Sequence, residues 1–209
     1  MKLTDESKLF IGIILATFVI IGIGIAFFTK PAPILPRQEL IPPGTNTLGS
    51  EQAKVFLVEF SDFQCSSCKE FYPIVNQLFE KYKDKLIVAY RHFPLEKHPF
   101  SQKEALAAEA AGAQGKFWQM HDFLFDSQER ISDDLIIDLA KQLNLDLGKL
   151  QKDMQDEKYK EKILSDKTYG EKIGIDATPT FFLNGQKLSL YSFDDLRKQV
   201  EQAIEKNPQ

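Results

Sequence analysis

Cys65 and Cys68, the two cysteines of a 209-residue chain, stand three apart where an apolar strand pattern gives way to a helical one. Lys54-Val55-Phe56-Leu57-Val58-Glu59-Phe60 is rich in β-branched and aromatic residues, as a buried strand requires, and it runs through Ser61-Asp62-Phe63-Gln64 into Cys65-Ser66-Ser67-Cys68. Residues 67–82 then place Phe71, Ile74, Val75, Leu78 and Phe79 at helical spacing, with Pro73 predicting a kink. A helix that starts near Cys65 carries both sulfurs on its first turn, where they can close a small disulfide ring. It also sets Cys65 among unpaired N–H groups at the positive end of the helix dipole, which favours the thiolate an attacking sulfur needs. The pair therefore predicts a redox-active site.

The rest of the chain supplies a scaffold for that junction. Leu86-Ile87-Val88-Ala89-Tyr90 is a second strand pattern, so strand, helix and strand of this length predict a parallel βαβ unit. Between Pro94 and Gly174 the pattern is helical. Ser101 and Glu104 are spaced as a capping box, and Ser132 before Asp133 and Asp134 marks another helix start. Thr180-Phe181-Phe182-Leu183 and Gln186-Lys187-Leu188-Ser189-Leu190 flank Asn184-Gly185, whose tolerance of positive φ predicts an antiparallel hairpin. Ser192 to Ile204 closes the chain as an amphipathic helix with Phe193, Leu196, Val200 and Ile204 on one side.

Residues 9–28 form twenty consecutive residues without a charge, and at about 1.5 Å per residue such a helix spans a hydrocarbon core of about 30 Å. A transmembrane anchor is expected there, behind a short N-terminal tail at 1–8. A cleaved signal peptide is the alternative, since Gly24-Ile25-Ala26 has cleavage-type spacing. Lys2 and Lys8 before the segment balance Lys30 and Arg37 after it, so charge does not orient it. Disulfide chemistry places the C-terminal part outside the cytoplasm, where thiols are not kept reduced. Prolines between Pro31 and Pro43 predict a semi-rigid linker at 29–46. A single domain is expected over 47–208, with a helical insertion at about 95–174. The net charge of −4 comes with no basic stripe, which argues against a nucleic-acid partner, and no internal repeat is present.

This order resembles the thioredoxin fold and, more narrowly, the DsbA-like thiol-disulfide oxidoreductases, whose helical domain is inserted between two halves of the sheet. The resemblance rests on Val58-Glu59-Phe60-Ser61-Asp62-Phe63-Gln64-Cys65, on Gln114-Gly115-Lys116-Phe117-Trp118-Gln119-Met120-His121 and on Ala177-Thr178-Pro179-Thr180-Phe181, over roughly residues 45–205. It implies an α/β thioredoxin fold, βαβ then ββα around a central sheet. It implies Cys65 as the exposed attacking cysteine, Cys68 as its buried partner, and Glu59 as the acid that moves a proton at Cys68. Pro179 matches the proline that is cis and packs beside the disulfide. Thr178 lends backbone groups to an extended substrate, and Ser66 and Ser67 face that substrate between the cysteines. Oxidases of this kind usually carry proline or histidine where these serines stand; without an imidazolium, weaker thiolate stabilisation and a weaker oxidant are expected.

The function so implied is a membrane-anchored, extracytoplasmic oxidase that passes the Cys65-Cys68 disulfide to exported cysteine-containing proteins and is reoxidised by a quinone-linked membrane partner. It needs no cofactor beyond that disulfide, and no metal. Two alternatives stay open: a reductase for exported cysteines, and a non-catalytic client-binding or metal-binding module in which zinc would draw on His92, His98 and His121. Glu59 reads otherwise as a strand-edge carboxylate, Asp122 and Asp126 as a solvated helix face, and Phe117, Trp118, Phe123 and Phe125 as core rather than a peptide-binding face.

Overall fold

Helix α1 (Asp5–Phe28) takes up the charge-free run. The computed structural model describes residues 4–28 and 33–207, with side chains in α1 described over 10–22, where all are exposed. Among the described residues no helix is long and apolar enough to cross a membrane. Side chains of the expected anchor at 9–28, those of Gly24-Ile25-Ala26 among them, thus lie partly outside the described ones, and parts of the 1–8 tail and the 29–46 linker lie outside the described residues. Residues 1–33 form one unit and 34–209 a second.

The second unit begins earlier than the prolines suggest. Leu35 donates its N–H to the Gly185 carbonyl at 2.8 Å, and helix α2 (Arg37–Leu40) and strand β1 (Asn46–Leu48) follow. Leu40 is fully buried, and Leu35 and Ile41 pack around it against the cluster holding Phe56 and Phe60. The spacer reading of 34–46 is corrected by these apolar residues, which alternate with the prolines and bury surface that a solvated linker would expose.

Strands β2 (Val55–Ser61) and β3 (Leu86–His92) pair in parallel, Val55 opposite Leu86 through Ser61 opposite His92, joined by helix α3 (Ser66–Tyr82). Every residue of both strands is buried, as expected for a parallel pair covered on both faces. Edge strand β1 lies antiparallel on β3. An insertion follows: α4 (Ser101–Gly112), α5 (Phe117–Asp126), a 3-10 turn (Gln128–Arg130), α6 (Asp133–Gln142), α7 (Leu147–Gln155) and α8 (Glu157–Lys172). Its core is floored by the small side chains Ala107, Ala108, Ala110 and Ala111, with Phe117 and Phe125 buried above them and Trp118 and Phe123 partly so.

Ser132 caps α6 as expected, accepting from Leu135 N–H. The Ser101–Glu104 capping box does not form: Phe100 is the cap residue, and both polar side chains are buried without a hydrogen-bond partner. Strand β4 (Thr180–Leu183) pairs antiparallel with β2, and β5 (Gln186–Lys187), shorter than the expected 186–190, with β4. Asn184 (φ 49°) and Gly185 (φ 88°) make the hairpin turn. Asn184 further ties it to the sheet, its Oδ1 accepting from Phe56 N–H at 3.0 Å. Helix α9 (Phe193–Lys206) starts in a Ser192–Asp195 capping box and buries Leu196, Val200 and Ile204. The sheet order is β1-β3-β2-β4-β5, which sets the carboxyl end of β2, and so the cysteines, at the centre.

Candidate active site

Cys65 is the N-cap of α3, in extended conformation, and Cys68 lies in the first turn. Both are reduced. Cys65, expected to be exposed, is itself buried, keeping 8% exposure, and Cys68 has none. The Cys65 thiol is pulled from 9.0 to about 5. The hydrogen bond from the Cys68 thiol is the largest cause; burial opposes it, and Thr178 and the backbone N–H groups of Cys68 and Ser67 add to the pull. Cys68 moves well above 9.0, first through burial, then because it gives its proton to Cys65 and faces Glu59. With serines between the cysteines, the stabilisation of the thiolate comes from Cys68, Thr178 and the first-turn N–H groups.

The loop before Cys65 is held by residues whose roles sequence reading missed. Asp62 Oδ1 accepts from Gln64 N–H at 2.8 Å, an Asx-turn that swings the chain out of β2. Its Oδ2 accepts from Leu95 N–H and His98 Nδ1, each at 2.8 Å. Gln128, in the 3-10 turn of the insertion, donates through Nε2 to the carbonyls of Phe63 at 2.6 Å and Cys65 at 3.0 Å. The aspartate directly after a buried strand was the one signal that pointed here; nothing local marks Gln128.

Across from the cysteines the Thr178-Pro179 peptide is cis, and Cys65 Sγ lies 3.3 Å from the Thr178 carbonyl oxygen. Cys65, Ser66, Ser67 and Thr178 line one groove of about 740 Å3, its opposite wall formed by residues 95–98 and Lys167. Ser66 and Ser67 are exposed and Thr178 and Pro179 partly buried. The structure thereby gathers the expected substrate-facing residues around Cys65, apart from Pro179, which does not line the groove.

Glu59 is no edge carboxylate. It sits in central β2 at 4% exposure, accepting from Ser61 Oγ at 2.7 Å. Burial raises it from 4.5 to about 7, against the pull of that hydrogen bond, and it bears electrostatically on Cys68. Each of the three histidines pairs with a different carboxylate: His92 Nε2 with Glu109, His98 with Asp62 and His121 with Asp122. Among the described residues no group of three or more His, Cys, Asp or Glu is arranged to hold a metal ion.

A family model described as thioredoxin matches residues 42–202. Among curated proteins, the Na(+)/H(+) antiporter NhaA 3 of Salinispora tropica is 35% identical over 147 residues, 70% of this chain and 22% of that protein. The antiporter NhaA 1 of Mycolicibacterium vanbaalenii is 30% identical over 192 residues, 87% of this chain and 31% of that protein. The chain thus spans less than a third of the length of these relatives. Among solved structures, the thiol-disulfide exchange protein α-DsbA2 from Wolbachia pipientis superposes with a TM-score of 0.71 at 22% identity, covering 80% of this chain and 91% of that one. BdbD from Bacillus subtilis, in its oxidised form, gives 0.69 at 24% identity, over 84% and 100%. The catalytic domain of Proteus mirabilis ScsC gives 0.70 at 22% identity, over 80% and 94%.

Proposed function

The chain belongs to the thioredoxin family, with a DsbA-like fold, and from that premise we propose that it is a protein thiol-disulfide oxidoreductase that donates the Cys65-Cys68 disulfide to exported proteins. The observation that carries this reading is the asymmetry of the pair: Cys65 reaches the groove and is held near 5, while Cys68 is buried and held above 9.0. A client thiolate attacks Cys65 Sγ, the Cys65–Cys68 bond breaks, and Cys68 takes the electron pair and a proton. A second client thiolate then attacks the client sulfur of the mixed disulfide, forming the client's disulfide and expelling the Cys65 thiolate. Glu59, neutral up to about pH 7, is the proton source next to Cys68. Client backbone lies along Thr178.

A Cys65 thiolate at neutral pH stabilises the dithiol, which makes the disulfide easier to reduce and the protein an oxidant. Its value falls between roughly 7 for thioredoxin and roughly 3.5 for DsbA. A potential above that of thioredoxin, about −270 mV, is the expected result for an oxidant. Equilibrating the domain with glutathione at known ratios measures it; a potential at or below that of thioredoxin reverses the direction and makes the protein a reductase.

The remainder of the reading is cellular. Residues 9–28 anchor the protein as a single pass in the cell membrane, with the catalytic domain extracytoplasmic and a quinone-linked membrane partner restoring the disulfide. The uninterrupted apolar run supports the anchor. Release of the full chain from membranes by alkaline carbonate would remove it.

A further inference from the structure

We propose that His98, its ring fixed by Asp62, is the base that takes the proton from a client thiol as that sulfur attacks Cys65. The inference rests on the thiol–disulfide exchange assigned above to Cys65 and Cys68, and it gives the incoming sulfur its proton acceptor.

His98 and Cys65 line the same groove. The imidazole is tied at one edge: its Nδ1 lies 2.8 Å from Oδ2 of Asp62, whose side chain is fully buried while that of His98 keeps 19% exposure. That contact fixes the tautomer. Asp62 also takes the N–H groups of Gln64 and Leu95, one on each oxygen. Backbone N–H groups only donate, so the carboxylate is the acceptor in all three bonds. Nδ1 therefore carries the proton, and the neutral ring keeps its lone pair on Nε2, on the edge turned away from Asp62. Nε2 has no hydrogen-bond partner among the described residues.

The loop does not need the imidazole as a strut. Leu95 N–H on Asp62 and Phe100 N–H on Gln64 Oε1, at 2.8 and 2.5 Å, already bind residues 95–100 to the turn before Cys65. His92 and His121 are buried against Glu109 and Asp122 and do not line the groove. The charged groups facing His98 in the clefts it lines are Glu96 and Lys97 of its own loop, Lys160, Lys167 and Glu171 of α8, and Asp176 before β4. These acids and lysines balance. The carboxylate in direct contact is Asp62, on which the buried Glu104 of α4 bears.

In donation, Nε2 takes the proton of the client S–H as the sulfur's electron pair forms the bond to Cys65 Sγ. The Cys65–Cys68 bond breaks, and Cys68 leaves with its electron pair and is protonated from Glu59. The imidazolium then gives its proton to solvent. In the reverse reaction it protonates the departing client sulfur.

The client bounds the size of the effect. A thiol of ordinary value, about 8.5, is only about 3% ionised at pH 7, so removing its proton speeds attack by at most about thirtyfold. By pH 9.5 such a thiol is about nine-tenths ionised, and a base has almost nothing to add.

The test mixes oxidised protein with reduced glutathione, quenches in acid, and follows loss of the Cys65–Cys68 disulfide by mass spectrometry at pH 7 and pH 9.5. His98→Asn keeps an N–H for Asp62 but has no basic nitrogen, and His98→Ala loses both. Each variant should react about tenfold more slowly than the unaltered protein at pH 7 and at the unaltered rate at pH 9.5. Nitrogen NMR of the unaltered protein should show the neutral His98 ring protonated at Nδ1. His98→Asn reacting at the unaltered rate at pH 7, or slowed equally at both pH values, overturns the base alone, as does a neutral ring protonated at Nε2. An unaltered protein whose disulfide glutathione does not reduce overturns the oxidoreductase reading and the base with it.

Discussion

Cys65 Sγ sits 3.3 Å from the carbonyl oxygen of Thr178, a contact between the start of α3 and the residue before β4. As a thiol, Cys65 donates to that oxygen; as a thiolate it has no proton to give and leaves the carbonyl free for a client's N–H. With Cys65 at about 5, the second state holds at neutral pH. Between about pH 5 and the ordinary value of 9.0 the folded protein carries a thiolate where the unfolded chain carries a thiol. The stability of the reduced form therefore rises across that window, and the gain is lost as pH falls through about 5. Thermal melts of reduced and oxidised protein at pH 4.5 and 8 check this. The reduced form should gain on the oxidised one at pH 8, and an unchanged difference would contradict the assignment.

Gln128 is expected to matter to the site although it touches no sulfur. Its two hydrogen bonds hold the carbonyls of Phe63 and Cys65, and each such bond is worth about 1 kcal/mol. Gln128→Ala should cost about 1–2 kcal/mol in urea unfolding and slow alkylation of Cys65 several-fold at pH 7. Gln128→Glu, which keeps the length but loses the donors, should behave like alanine.

Arg91 is 2% exposed. Its Nε pairs with Asp166 of α8 and its Nη1 donates to the carbonyls of Glu39 and Leu40 at 3.2 and 3.0 Å, and the guanidinium lies 5.2 and 5.1 Å from the ring centroids of Phe60 and Tyr169. Removing the carboxylate strands a buried cation, so Asp166→Ala should destabilise the fold by about 3–5 kcal/mol. Pairing Asp166→Leu with Arg91→Met should recover much of that loss. A double variant as unstable as the single one would contradict this account.

Glu104 is buried with neither carboxylate oxygen partnered, and burial, with the charge of Asp62 second, raises it from 4.5 to about 8. The folded protein then holds a proton that the unfolded chain releases above about 4.5. Stability falls as pH climbs from there through about 8. Glu104→Gln removes this titration, so its melting temperature should overtake that of the unaltered protein at pH 8.5 but not at pH 4. Parallel pH profiles for the two proteins would rule the mechanism out.

The hairpin, the strand leading into the cysteines and the closing helix were legible because each is signalled locally. Asn184 and Gly185 supply the positive φ their turn needs, β2 is buried throughout and apolar except at Glu59 and Ser61, and α9 carries Leu196, Val200 and Ile204 along its buried face. The misreadings arose where an identical local signal has two outcomes. Ser101 and Glu104 have capping-box spacing, yet the side chains turn inward and are buried. The prolines before residue 46 suggested a spacer, yet Leu40 between them fills a hole in the core.

By itself the sequence determined the two sulfurs on one helical turn, the strand that delivers them and the candidate acid six residues upstream, since these depend on spacing along a few turns of chain. Only the tertiary structure decided which groups surround them. Thr178 lies 113 residues from Cys65 and Gln128 63 residues from it, while Tyr90 reaches Glu59 through the register of two parallel strands. Contacts at such separations are fixed by how buried faces pack against one another, and no local pattern encodes them.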